Sequence, residues 1–160
     1  MTWDVAAVFV LRAALVALFV SFSVAHMVAD FRGAREHAAS VGVGAEGSAA
    51  MTVSAIALKV VCSLGILTGV ADRLSALGLA AFCVMTALLY KRFWVGSGLR
   101  FWTESANLSK FWEFLKNVSL AAAFVLIAFG TDASSFRSGM IEFLDAPFSS
   151  SQPYGRTGRH

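Results

Sequence analysis

Charge is scarce in this chain: only 14% of its 160 residues are Asp, Glu, Lys or Arg, where an ordinary globular domain carries about a quarter. With 58% apolar residues and a mean hydropathy of +0.70, that shortage excludes most soluble classes. Cysteine is nearly absent as well. Cys62 and Cys83 lie inside apolar runs with no CxxC pair and no His at ligand spacing, which disfavours a metal site and a disulfide framework. Of the three histidines only His26 falls within an apolar run, and b-type haem across a membrane usually wants two facing histidines. There is no Gly-x-Ser-x-Gly turn to expose a nucleophile. The formal charge of +3 comes from Lys and Arg at the ends of apolar runs, with no basic block suited to nucleic acid. No basic stretch precedes the first apolar run and no cleavage site follows it, so that run reads as a retained helix.

What the chain has in quantity is long apolar runs. A span needs about 20 apolar residues at 1.5 Å each, and four windows qualify: Val5 to Val28, Ala49 to Val70, Leu74 to Phe93, and Phe111 to Phe129. The second and third are separated only by Ala71-Asp72-Arg73, which forces an antiparallel hairpin. The loop from Ala29 to Ser48 is polar, and its stretch Gly42-Val43-Gly44-Ala45-Glu46-Gly47 is not expected to hold a regular helix. The loop from Val95 to Lys110 mixes Gly96 and Gly98 with Arg100, Phe101, Trp102 and Glu104, as an interfacial segment does. Arg32, Arg35, Lys91, Arg92, Arg100, Lys110 and Lys116 gather on the face with these loops, against Arg73 and Arg137 on the other. The long loops are therefore expected to be cytoplasmic and both termini periplasmic. The fold expected is an all-α membrane protein: a four-transmembrane-helix bundle over residues 1–130, then a short C-terminal interfacial helix and extended tail over 131–160. In that last part Phe136, Met140, Phe143 and Leu144 form one apolar face.

Two places could carry chemistry. Lys59 falls near the middle of the second span, where a charge costs roughly 2.5 to 3.5 kcal/mol on insertion scales. Arg12, about 10 Å into the first helix at 1.5 Å per residue, can snorkel and needs no partner. Lys59 has no such exit, so it reads either as a neutral amine in a desolvated site or as a contact to another subunit. The second place is a cluster at one membrane depth, made of His26, Tyr90, Lys91, Arg92, Phe93, Trp94, Trp112, Lys116 and Asn117. Its donors and rings suit a quinone headgroup, but on sequence alone they fit anchoring in the lipid headgroup layer better. His26, Lys91, Arg92, Trp94, Lys116 and Asn117 are its candidate ligand-binding members. Gly65 and Gly69 make a GxxxG on the second span that admits close helix approach, within this chain or to a partner. Lys59, Gly65, Gly69, Phe136, Met140 and Phe143 are thus the candidate partner contacts.

The order of these features resembles the DoxX-like family of four-helix membrane proteins. The stretches that carry the likeness are Phe19-Val20-Ser21-Phe22-Ser23-Val24-Ala25-His26, Leu64-Gly65-Ile66-Leu67-Thr68-Gly69-Val70-Ala71-Asp72-Arg73-Leu74, Tyr90-Lys91-Arg92-Phe93-Trp94, and Phe114-Leu115-Lys116-Asn117-Val118-Ser119-Leu120. The likeness runs from about Val8 to Gly130. Family members often have Glu where this chain has Lys59, and His where it has Lys91. The resemblance implies association with membrane redox systems and a bacterial inner membrane, an organellar inner membrane being the alternative. It implies an accessory subunit of an electron-transfer complex, respiratory or photosynthetic, with membrane lipids and the other subunits as partners. A quinone-binding subunit and a lipid or cargo receptor are the alternatives. No redox-cofactor or catalytic motif belongs to the chain itself, leaving quinone or a bound lipid as candidate ligands.

Overall fold

The computed structural model describes residues 3–17, 23–40, 42, 44–91 and 105–155. All regular structure among them is helical: α1 (Trp3–Ala17), α2 (Ala25–Ala29), α3 (Phe31–Ala39), α4 (Ala45–Thr68), α5 (Asp72–Tyr90), α6 (Ser105–Phe129) and α7 (Ala133–Asp145). Three stretches are long and apolar enough to cross a membrane: Ala45–Thr68, Asp72–Tyr90 and Leu108–Phe129. The expected first span, Val5 to Val28, runs through residues 18–22, which lie outside the described residues; α1 and α2 account for its two ends.

The α4–α5 hairpin forms where the sequence breaks the apolar run. Gly69 turns the chain at φ 75° and sends its N–H to the Gly65 carbonyl, a glycine closing a helix in the left-handed region. Gly65 lets the two helices touch, because a Cβ there would lie 2.1 Å from Ser75 Oγ. Along α5, Ala76, Ala80, Cys83 and Ala87 make a buried small-residue stripe, met by Ala121, Phe124 and Ala128 of α6. Lipid solvates apolar side chains as well as a protein interior does, so close approach of small residues and the packing it allows hold such helices together. Val16, Ile66 and Leu79 complete the core.

Two stretches depart from expectation. The polar segment after α2 is helical over Phe31–Ala39: the Asp30 side chain accepts the Gly33 N–H at 2.9 Å, and Ala38 is buried. The Gly-rich stretch also gives way, since α4 begins at Ala45 behind Gly44, with Glu46 in its first turn facing the helix dipole. Gly47 costs about 1 kcal/mol against alanine, which the long run behind it absorbs. Arg35 ties the segments together by donating to the Ala45 carbonyl at 3.1 Å.

At the other end of the chain, Gly130 (φ 105°) closes α6 and Asp132 opens α7 with a capping box. Hydrogen bonds from Ser134 and Ser135 hold the Asp132 carboxyl well below the usual carboxylate range. Gly139 brings α7 onto α6, where a Cβ would meet the Phe129 carbonyl at 2.7 Å. The tail does not extend away: residues 146–155 fold back over the hairpin, and Tyr154 Oη donates to the Leu67 carbonyl at 2.6 Å.

Candidate functional site

Polar groups within the apolar part of the protein are few, and they gather in three places. The first is the face α4 turns inward. Ser48, Thr52, Lys59 and Ser63 are all buried, at helix positions i, i+4, i+11 and i+15, which lie on one side. Lys59 is 4% exposed; its Nζ donates to Ser23 Oγ at 2.6 Å, lies 3.2 Å from Met27 Sδ, and sits 4.7 Å from the centre of the Phe82 ring. Its surroundings are one hydroxyl, one thioether and one aromatic face, and among the described residues it makes no ion pair. Lys59 thus lies among this chain's own side chains, because α4 turns its polar side into the bundle.

The second place is the hairpin end. Arg12, expected to snorkel alone, instead donates from Nη1 to Asp72 Oδ2 at 2.7 Å and to the Ile66 carbonyl at 3.0 Å. Asp72 is fully buried at the start of α5, where the helix dipole favours a carboxylate. Ser151 from the tail accepts from Arg12 Nη2 and gives both its N–H and its hydroxyl to Asp72. Alongside, Arg73 pairs with Glu142 of α7 at 2.8 Å and reaches Ser149.

The third place is the opposite end, where the sequence grouped a ligand-binding cluster. Lys91 forms an ion pair with Glu113 of α6, and Lys116, three residues on, acts on the same carboxylate. His37 stacks on Tyr90, ring centres 4.3 Å apart and planes at 24°. Burial lowers the His37 pKa below its ordinary value, Lys91 adds to the lowering, and Glu113 opposes it. Of the candidates, Lys91 and Lys116 come together, His26 is exposed on α2, and Asn117 is half-buried on α6. Arg92 and Trp94 lie outside the described residues. Sequence reasoning missed His37 and Glu113. Asp30, a residue type that favours helix N-caps, was the available signal that His37 sits on a helix.

A family model, DoxX, matches residues 7–92, more than half of the chain. The chain belongs to the DoxX family. The match takes in Arg12, Lys59, Asp72 and Lys91, so each polar place of this DoxX protein has a member inside it. Comparisons with curated proteins and with solved structures found no match.

The remaining candidate partner contacts are largely used within the chain. Gly65 serves the α4–α5 contact, and Gly69 meets Pro153 of the tail, whose Cγ would lie 3.1 Å from an added Cβ. Phe136 and Phe143 both pack edge-on against Phe129, with ring centres 5.2 and 6.0 Å away. Met140 alone of α7's three candidates points outward, at 42% exposed, beside Ile141 and Leu144.

Proposed function

We propose that this DoxX family protein is an accessory membrane subunit of an electron-transfer assembly, respiratory or photosynthetic, which helps to assemble or stabilise that assembly. The observation that carries the reading is how little of the spans this chain covers by itself. Only 22%, 39% and 17% of the most apolar windows of the three spans are buried inside the chain. Val53, Leu58, Val61 and Leu64 of α4 and Met140, Ile141 and Leu144 of α7 are left facing outward. Meanwhile Arg12, Arg73 and Lys91 are taken up in internal ion pairs. Lipid tails cover such faces as well as a neighbouring helix does, and apolar packing is the chemistry they offer a subunit beside them. The redox setting comes from the family resemblance. Purification of the tagged protein in mild detergent tests the reading: membrane redox subunits should co-purify in fixed ratio, and a chain that runs alone as a monomer rejects it.

A quinone-binding subunit is the second reading, favoured by the stacked His37–Tyr90 pair beside Lys91, Glu113 and Lys116. Stacked rings next to ammonium donors suit a flat ring with carbonyl oxygens. Replacing Trp94 and Asn117 by Ala should then reduce quinone-dependent turnover of the purified complex; unchanged turnover, with no quinone extracted, rejects it.

A further inference from the structure

The last helix, α7, presents three flanks of different chemistry. Phe136, Gly139 and Phe143, at i, i+3 and i+7, face α6, where both rings pack on Phe129. Ser134, Ser138 and Asp145, at i, i+4 and i+11, form a polar flank that suits water. The third flank mixes what the other two keep apart. Arg137, Met140, Ile141 and Leu144 fall at i, i+3, i+4 and i+7, and all four are exposed. Arg137 forms no ion pair among the described residues. The positions three and four away from it on α7 are Ala133, Ser134, Met140 and Ile141, with no acid among them. Of the nearby carboxylates, Asp132 caps the helix with Ser134 and Ser135, and Glu142 pairs with Arg73.

Packing fixes where this flank lies. An added Cβ on Gly139 would meet the Phe129 carbonyl at 2.7 Å, and Phe129 is the last residue of the apolar span Leu108–Phe129. The middle of α7 therefore rests against the end of a span. The link Gly130–Asp132 reaches about 10 Å at most, too short to carry the start of α7 far into water. Leu126, exposed on α6, shares the cleft of the α6–α7 elbow with Phe136. The apolar surface of the span thus continues round the elbow onto α7. Water over the third flank would wet three large apolar side chains, and hydrocarbon over it would strand a charge. The headgroup boundary does neither, because the arginine stem lies along the apolar side chains while its guanidinium reaches a phosphate.

We propose that Arg137 is a lipid-phosphate site: Met140, Ile141 and Leu144 enter the acyl boundary, and the Arg137 guanidinium binds the phosphate of an anionic phospholipid. A guanidinium matches two phosphate oxygens at once. An anionic headgroup is preferred because the phosphate of a zwitterionic one carries its own ammonium. Arg12 and Arg73 are already paired inside the chain, so Arg137 is the cation that this end of the bundle leaves for a headgroup among the described residues. The bilayer is the occupant because the flank joins the lipid-facing surface of α6 without a break.

The test places the full chain in vesicles of equal phosphatidylglycerol and phosphatidylcholine, with Leu144 replaced by the photo-reactive p-benzoylphenylalanine and the adducts read by mass spectrometry. Leu144 is 72% exposed, so the probe displaces little packing. Irradiation should add lipid, with phosphatidylglycerol favoured about 5-fold, the worth of one basic residue near an anionic surface. Arg137→Gln should bring the two lipids to nearly equal yield, and Arg137→Lys should keep most of the preference, both with unchanged helicity. The same probe at Val61, exposed on the apolar part of α4, should take both lipids equally. No lipid adduct at position 144, or an adduct there to a second copy or another protein, overturns the proposal. Equal yields without the Arg137 change, or a preference that survives Arg137→Gln, overturn it too. A preference as large at Val61 would reflect the charge of the whole protein and overturn it as well.

Discussion

The Arg12–Asp72 pair offers the sharpest test of how this bundle is held. Asp72 is fully buried and Arg12 nearly so, and the bond between them spans 60 residues of sequence. Removing one partner of such a pair strands the other, at about 3–5 kcal/mol. Asp72→Leu leaves Arg12 with only the Ile66 carbonyl and Ser151, and Arg12→Met leaves Asp72 with only Ser151. Each single variant should therefore lose about 4 kcal/mol. With about 2–4 °C per kcal/mol for a chain of this size, the apparent Tm falls by roughly 10 °C. The double variant behaves differently, because a buried ion pair replaced by apolar side chains is often neutral or better. It should recover to within about 2 kcal/mol of wild type, giving a large favourable coupling in the cycle. Circular dichroism melts in mild detergent, with intrinsic Trp fluorescence as a second probe, measure all four proteins. Singles within about 0.5 kcal/mol of wild type, or a double that falls by the sum of both, would refute the argument that the pair is desolvated and mutually dependent.

Gly65→Ala should lower the Tm, since overpacking typically costs about 1–3 kcal/mol and the new Cβ would lie 2.1 Å from Ser75 Oγ; Ser75→Ala in the same chain should relieve part of the loss in the same melt. Lys59→Met should leave the Tm unchanged or raise it, because the lysine has no carboxylate partner among the described residues, and a fall of more than about 2 kcal/mol would mean that its contacts to Ser23 and Phe82 stabilise the fold. His37 has a lowered pKa, so the folded state binds its proton less readily than the unfolded chain. The associated stability is complete above the ordinary value of 6.5 and is lost as the pH falls from there toward the folded value. Protection factors in α3, that is exchange rates divided by the intrinsic rates at each pH, should fall between about pH 7.5 and pH 5.5 in the wild type, and that fall should be lost in His37→Gln. Truncation after Asp145 removes Ser149, Ser151 and Tyr154 from the hairpin end and should lower the Tm and open the α4–α5 turn to protease.

Three of the four expected spans were legible because an apolar run of 20 or so residues has few other homes, and the hairpin because Ala71-Asp72-Arg73 leaves no room for anything else. The direction in which Lys59 points was also in the sequence. Ser48, Thr52, Lys59 and Ser63 repeat at helical spacing, and a polar stripe on a membrane helix faces protein; taking the lysine alone hid the stripe. The partners of Arg12 were not legible, since nothing local marks a residue 60 positions away as its counter-ion. The same holds for the tail, whose Ser, Pro and Tyr have little to bury by composition but match the polar groups that the hairpin presents. His37 and Glu113 were missed because each becomes informative only when α3 and α6 meet the end of α5.

The junction at the hairpin end also sets an order of events during synthesis. Arg12 and Asp72 can meet once α5 has been made, but Ser151 lies 79 residues beyond Asp72 and 139 beyond Arg12. At about 5–20 residues per second, Asp72 waits roughly 4–16 s for its last donors to be translated. Through that interval the half-built bundle carries a carboxylate short of the two hydrogen bonds that Ser151 supplies. A chain that ends before Ser149 would have all its apolar helices but would lack the tail contacts that close over the α4–α5 turn.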